Sequence, residues 1–334
     1  MLHFWKLLAL AAALAGAVPP ALTPALAEIP ATIRADLMQG RALVARHGDR
    51  LWPGWSRVPA GFVLVTPEGE RLLCDDRVPP GFIPLPRDRR LDCAQAAGPA
   101  TWRSPALLAA MAVFGPPPVI VMGTPETTGK DRSGWLVTVL HERFHQWQMA
   151  QPGYYEQIRA LDLSDGDETG MWMLNYPFPY RASAVSAAHA AATRALAAAI
   201  EADEASFAAR RTDYLAARAM LAESVIARDW RYFEFQLWQE GVARWTELEL
   251  ARRSGDKALT DHARARRASI IARLRSPDLA SDGRLAAYAM GAGEAMLLER
   301  WDRNWRKCYT RQMALGPLLR EACSSGAVDR PRAI

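Results

Sequence analysis

Two imidazoles and a carboxylate fall within five consecutive residues, His141-Glu142-Arg143-Phe144-His145. Positions i and i+4 of an α-helix share a face, so both rings can reach one ion at about 2.0–2.1 Å, the usual distance from zinc to an imidazole nitrogen. Glu142 is then offset around the helix toward the remaining coordination position, where water would sit. Zinc lowers the pKa of such a water to roughly 7, and a neighbouring carboxylate can take its proton while the hydroxide attacks a polarised carbonyl. The bland alternative is a pair of core histidines satisfied by hydrogen bonds.

The flanking residues predict the element that carries this pattern. Trp135 to Met149 reads as a helix of about four turns, with Asp131 or Ser133 as cap and Pro152-Gly153 beyond its end. Leu136, Leu140, Phe144 and Trp147 form one apolar stripe and Val137, His141 and His145 a neighbouring one, so the helix should be largely buried. A catalytic zinc site needs a third protein ligand. Tyr232 to Glu247 reads as a second helix, apolar around most of its circumference, with Glu240 near its middle. A carboxylate buried there needs a metal or a counter-charge. Gly241 costs a helix roughly 0.5–1 kcal/mol relative to alanine, which suggests a backbone or ligand passing close by.

The His-Glu-x-x-His helix together with Glu240, Gly241, Ala243, Trp245 and Glu247 resembles the gluzincin zinc metallopeptidases. The resemblance implies a zincin-like catalytic domain, mainly α with a small β-sheet, in which His141, His145 and Glu240 hold Zn2+ and Glu142 is the general base. It also implies that Glu247 orients a ligand and that Tyr288, within Ala286–Glu294, stabilises the oxyanion. From the residues alone, Glu247 reads equally as a solvent-facing helix charge, and Tyr288 as a helix-packing ring. Two features depart from the family: the charged Arg143 inside the motif, and the ninety-four residues between His145 and Glu240, far more than in many gluzincin aminopeptidases. The resemblance covers only the two motif helices. The expected function is hydrolysis of a peptide or protein substrate; the alternative is a non-catalytic periplasmic metal-binding or scaffold protein on the same fold.

Residues 1–27 carry Lys6, an apolar run from Leu7 to Val18 and Ala25-Leu26-Ala27, the pattern of a cleavable signal peptide. Residues 28–334 are then expected as a single periplasmic or secreted domain, with an N-terminal lobe over about 28–150 and a helical lobe over about 151–334. No later segment approaches the ~20 apolar residues of a membrane span, so no transmembrane anchor is expected in the mature chain. Cys74, Cys93, Cys308 and Cys323 allow three pairings; nearest-neighbour bonding, 74 with 93 and 308 with 323, closes two short loops and is expected. The net charge of +5 comes mostly from arginine. Its densest run, Arg264 through Arg275, is interleaved with Ile270, Ile271 and Leu274 as on the wet face of an amphipathic helix, so nucleic acid is not an expected partner. Oligomeric state leaves no signal.

Ile29 to about Arg46 reads as a helix. Arg57-Val-Pro-Ala-Gly-Phe62 recurs as Arg77-Val-Pro-Pro-Gly-Phe82, each copy leading to a cysteine, which suggests a pair of disulfide-stapled extended arms. Pro116-Pro-Pro-Val-Ile-Val-Met-Gly123 is the clearest strand, and the resemblance to zinc peptidases implies that it lies at a sheet edge beside the motif helix. Arg159–Tyr180 reads as a binding loop or lid. Helices are expected over Ala182–Ala208, Arg211–Asp229, Arg231–Arg253, Ala258–Arg275 and Arg284–Trp305. His189 and His262 lie on these and are not expected to be ligands.

Overall fold

The computed structural model describes residues 28–99 and 103–323; the expected signal segment lies outside them. The fold is α+β, mainly helical with one mixed sheet. The strands are β1 Phe62–Thr66, β2 Gly69–Leu73, β3 Ile83–Asp88, β4 Cys93–Pro99, β5 Leu108–Met111 and β6 Val119–Gly123, in the order β3-β4-β2-β1-β6-β5. Only β1 and β6 run parallel. Alternation of side chains along β1 and β6 serves two cores. Phe62, Leu64, Ile120 and Met122 join the main helical core, while Val63, Val65, Val119 and Val121 form a smaller one with Leu72 and Ala96 on the other face.

The repeated segments are not free arms. Both copies feed this sheet, and Cys74–Cys93 ties the end of β2 to the start of β4, which are hydrogen-bonded neighbours. Pro84 and Pro86 confine β3 to the sheet edge, as the missing N–H of proline demands. The second disulfide joins Cys308 to Cys323, so the nearest-neighbour pairing is the one formed and no described cysteine is free. Two disulfides fit an oxidising compartment. Among the described residues, no helix is long and apolar enough to cross a membrane.

The helices are α1 Ala31–Leu43, α2 Arg132–Met149, α3 Tyr154–Ala160, α4 Ser183–Glu201, α5 Glu204–Glu223, α6 Ala227–Gln236, α7 Val242–Arg253, α8 Lys257–Arg275 and α9 Ala286–Trp301, with shorter turns between them. The expected helix reaching Ala208 breaks earlier, because Asp203 accepts a hydrogen bond from the Ser206 N–H and starts α5. The expected helix through Glu240 is continuous from Ala227 to Arg253, with a π-helical turn, Leu237–Gly241, between α6 and α7. The expected lid is largely anchored: Trp172, Tyr176 and Phe178 are buried in the main core, with Tyr176 stacked on Tyr232 at 4.1 Å between centroids. Burying such rings outweighs the lack of regular backbone structure.

Trp52 sits at the centre of the core, within 6.1 Å of the rings of Phe144, Trp147, Trp245, Trp305 and Tyr309. It thereby joins α2 to α7, and its indole N–H donates to Thr246 Oγ1 at 3.0 Å. Deeper still, Arg218 of α5 pairs with Glu234 of α6 and Glu294 of α9, each at 2.6 Å. Glu234 also accepts from the Leu315 and Gly316 N–H groups.

Candidate metal centre

Asp131 caps α2, its carboxylate accepting from the Gly134 N–H at 2.6 Å. The helix lies against the sheet: the Trp135 indole N–H donates to Gly123 O at the end of β6, and the Gln146 amide donates to Gly61 O and Pro118 O. These bonds fix the rotation of α2, so that His141 and His145 face α7 rather than the strands. Both rings are buried, at 5 % and 6 % exposure.

The π turn supplies the partner. Gly241 packs directly on Gly291 of α9: a Cβ at Gly241 would lie 2.6 Å from the Gly291 carbonyl carbon. The close backbone approach suggested by a mid-helix glycine is therefore a crossing of two glycines. It sets Glu240 opposite the histidines. His141 Nε2 and His145 Nε2 are 3.1 Å apart, and each is 3.3 Å from Glu240 Oε2. Two ligands at about 2.05 Å in a tetrahedron are separated by about 3.3 Å, so this triangle has the size of one face of a tetrahedral zinc site. Among the described residues it is the one group of three such side chains able to hold a metal ion.

Hydrogen bonds behind the rings support the same orientation. His141 Nδ1 lies 2.7 Å from Glu247 Oε2, and His145 Nδ1 lies 2.6 Å from Gln148 Oε1. The Gln148 amide nitrogen donates to Gln239 O and Tyr309 Oη, and the Tyr309 hydroxyl donates to Trp238 O, which fixes the amide oxygen toward the ring. With a metal bound, these partners would hold the proton of each ring on Nδ1 and leave Nε2 to face the centre as the ligand atom. Glu247 is fully buried and held in turn by Arg244, so it is not a solvent-facing charge.

Charge and burial compete here. Burial would lower the His141 pKa, but the Glu240 and Glu247 carboxylates outweigh it and raise it to about 9 when no ion competes. Burial would raise Glu240, yet His145 and His141 hold it well below the usual carboxylate range. Arg284 reaches the other Glu240 oxygen at 3.3 Å.

Glu142 is 6 % exposed, and its Oε2 accepts from the Ala110 N–H at 2.8 Å. Ala110 belongs to β5, and this corrects the expected edge: β6 is an interior strand and β5 is the edge. A four-residue strand of Leu, Ala and Met gave little alternation to detect. Tyr288 lies over His141, with ring centroids 6.0 Å apart and planes 12° from parallel, and the Arg244 and Arg284 guanidiniums each sit 5.4 Å from its ring. Burial, then Glu240, pushes its phenol well above the ordinary value.

Gln148, Arg244, Arg284 and Ala110 were not singled out from sequence. Gln148, one turn beyond His145, had a usable signal, since a glutamine on the buried side of a helix must bond to something. His189 and His262 lie away from the donor triangle: His189 is buried among apolar groups and His262 is half-buried near Gly134. No family model matches the chain, and neither the curated proteins nor the solved structures yield a match.

Proposed function

We propose that the chain is an exported zinc-dependent peptidase with a zincin-like catalytic centre of the gluzincin kind. The reading rests on one observation: three donors from two helices form a triangle with edges of 3.1–3.3 Å, each histidine oriented by a bond to its other nitrogen. Two imidazoles and a carboxylate suit zinc, which would supply an acidified water and polarise a carbonyl.

The chain's own groups divide the remaining work. Glu142 accepts the proton of the attacking water and passes it to the leaving nitrogen, with the Ala110 N–H holding one oxygen in place. Tyr288 stands on the Glu240 and Arg284 side of the centre, where its hydroxyl can donate to a developing oxyanion. Its high pKa keeps that proton available. Strand β5 offers its outer edge next to Glu142, so an extended peptide can align there through main-chain bonds, which favours a peptide or protein substrate over an isolated small amide. Arg244 and Arg284 position Glu247 and Glu240.

Elemental analysis should find one zinc per chain, restorable after chelation, and a peptide mixture analysed by mass spectrometry should show cleavage that zinc removal stops. Glu142→Gln should keep the zinc and lose hydrolysis by at least a hundredfold, the scale of a positioned base. Unaltered hydrolysis in this variant overturns the assigned role. A chain that binds zinc stoichiometrically and cleaves nothing is the non-catalytic metal binder instead.

A further inference from the structure

Arg143, the charged residue inside the His-Glu-x-x-His motif, lies two positions from each histidine, which at about 100° per residue turns it to the far side of α2 from the metal donors. It is 6 % exposed. Its Nη1 donates to Pro59 O at 2.8 Å and to Gln146 Oε1, and its Nη2 donates to Val58 O at 3.1 Å; Nε is buried with no acceptor. No carboxylate among the described residues pairs with it, and burial, then the like charge of Arg41, work against its own charge. Among the described residues Arg41 makes no ion pair either, donating to Leu91 O and toward Cys74 Sγ. A buried cation without an anion is costly, and pinning two carbonyls requires no charge.

Both arginines line a cleft of about 550 Å³ between α1, the segment around Val58 and the Cys74–Cys93 junction. That volume falls in the range of small-molecule sites, about 300–1,000 Å³. Its other charges do not neutralise the pair. Arg87 and Asp92 face each other at 3.6 Å, and Asp76 is exposed on the wall.

We propose that this cleft is a binding site for a small organic anion, a carboxylate or a phosphate monoester, whose charged group sits between Arg41 and Arg143 while Val44, Val58 and Ala60 face its carbon skeleton. The site is separate from the metal centre and does not depend on the peptidase reading.

Calorimetric titration of the purified, metal-loaded protein with inorganic phosphate, and separately with succinate, at constant ionic strength tests this and tells the two sources apart. At least one should bind saturably at a single site. Arg41→Gln, at an exposed position of α1, should weaken that binding at least fivefold. Asp76→Asn, which removes the like-charged wall group, should tighten it about threefold. Absence of saturable binding by both anions overturns the proposal. So does binding indifferent to both substitutions, which would place the anion on the metal instead.

Discussion

Gly241→Ala tests how the proposed metal centre is built. The added Cβ would sit 2.6 Å from the Gly291 carbonyl carbon and 2.9 Å from the Ala292 nitrogen, whereas carbon contacts settle at about 3.5–4.0 Å. Those neighbours are backbone, so relief requires the π turn and α9 to separate by about 1 Å. Overpacking of this kind costs about 1–3 kcal/mol, and the helix propensity of alanine returns only about 0.5–1. A net loss of about 1–2 kcal/mol is expected in denaturant unfolding of the metal-free protein. The same displacement carries Glu240 away from the imidazoles, so zinc affinity, measured by competition with a chromophoric chelator, should fall at least tenfold. Gly293→Ala on α9 is the control: its new Cβ would meet the ends of Leu274 and Leu196 side chains, which can swing aside, and zinc affinity should hold. A Gly241→Ala protein as stable as wild type, or more so, with unchanged affinity would refute the argument that the glycine crossing sets the third donor.

Glu247→Gln keeps the shape of the group behind His141 but removes its charge, leaving Arg244 without its carboxylate; zinc affinity should fall about 10–100-fold in the same chelator competition, with the wild-type value refuting the role. His189 supplies a pH test, because it is 3 % exposed, both ring nitrogens lack partners and burial lowers its pKa to about 4. The unfolded chain binds that proton near pH 6.5 and the folded chain does not until about pH 4. Its contribution is therefore fully present above 6.5 and is lost as pH falls through that window, by roughly 3 kcal/mol. Unfolding curves from pH 7 to 4 should show His189→Phe losing that much less stability than wild type.

The candidate metal centre was legible because metal chemistry requires particular residue types. Imidazoles four apart and a carboxylate in an apolar helix leave few bland readings, and Gly241 marked a close approach whose partner, Gly291, only the packing of α9 reveals. Helices α8 and α9 follow from their apolar patterning, as does most of α2, whose Asp131 cap was also legible. What escaped notice depends on neighbours remote in the chain. The π turn has no composition of its own, and β5 is too short for alternation to register. Glu247 looked ambiguous because a carboxylate two turns from Glu240 is buried only if another helix covers it, and that cover is α2. The segment read as a binding loop or lid is mostly irregular as expected, but its rings Trp172, Tyr176 and Phe178 pack into the main core, which only the distant helix carrying Tyr232 makes possible.

The donors at 141 and 145 lie on one helix and that at 240 on another, with ninety-four residues intervening. An ion bound by all three is a clasp between distant stretches of chain, and any fluctuation that parts α2 from α7 forfeits it at once. Free metal at a thousand times its dissociation constant would add about 4 kcal/mol against such opening. Resistance to an added protease should consequently rise and fall with metal loading, turning the intervening helices into a reporter of occupancy far from the ion itself.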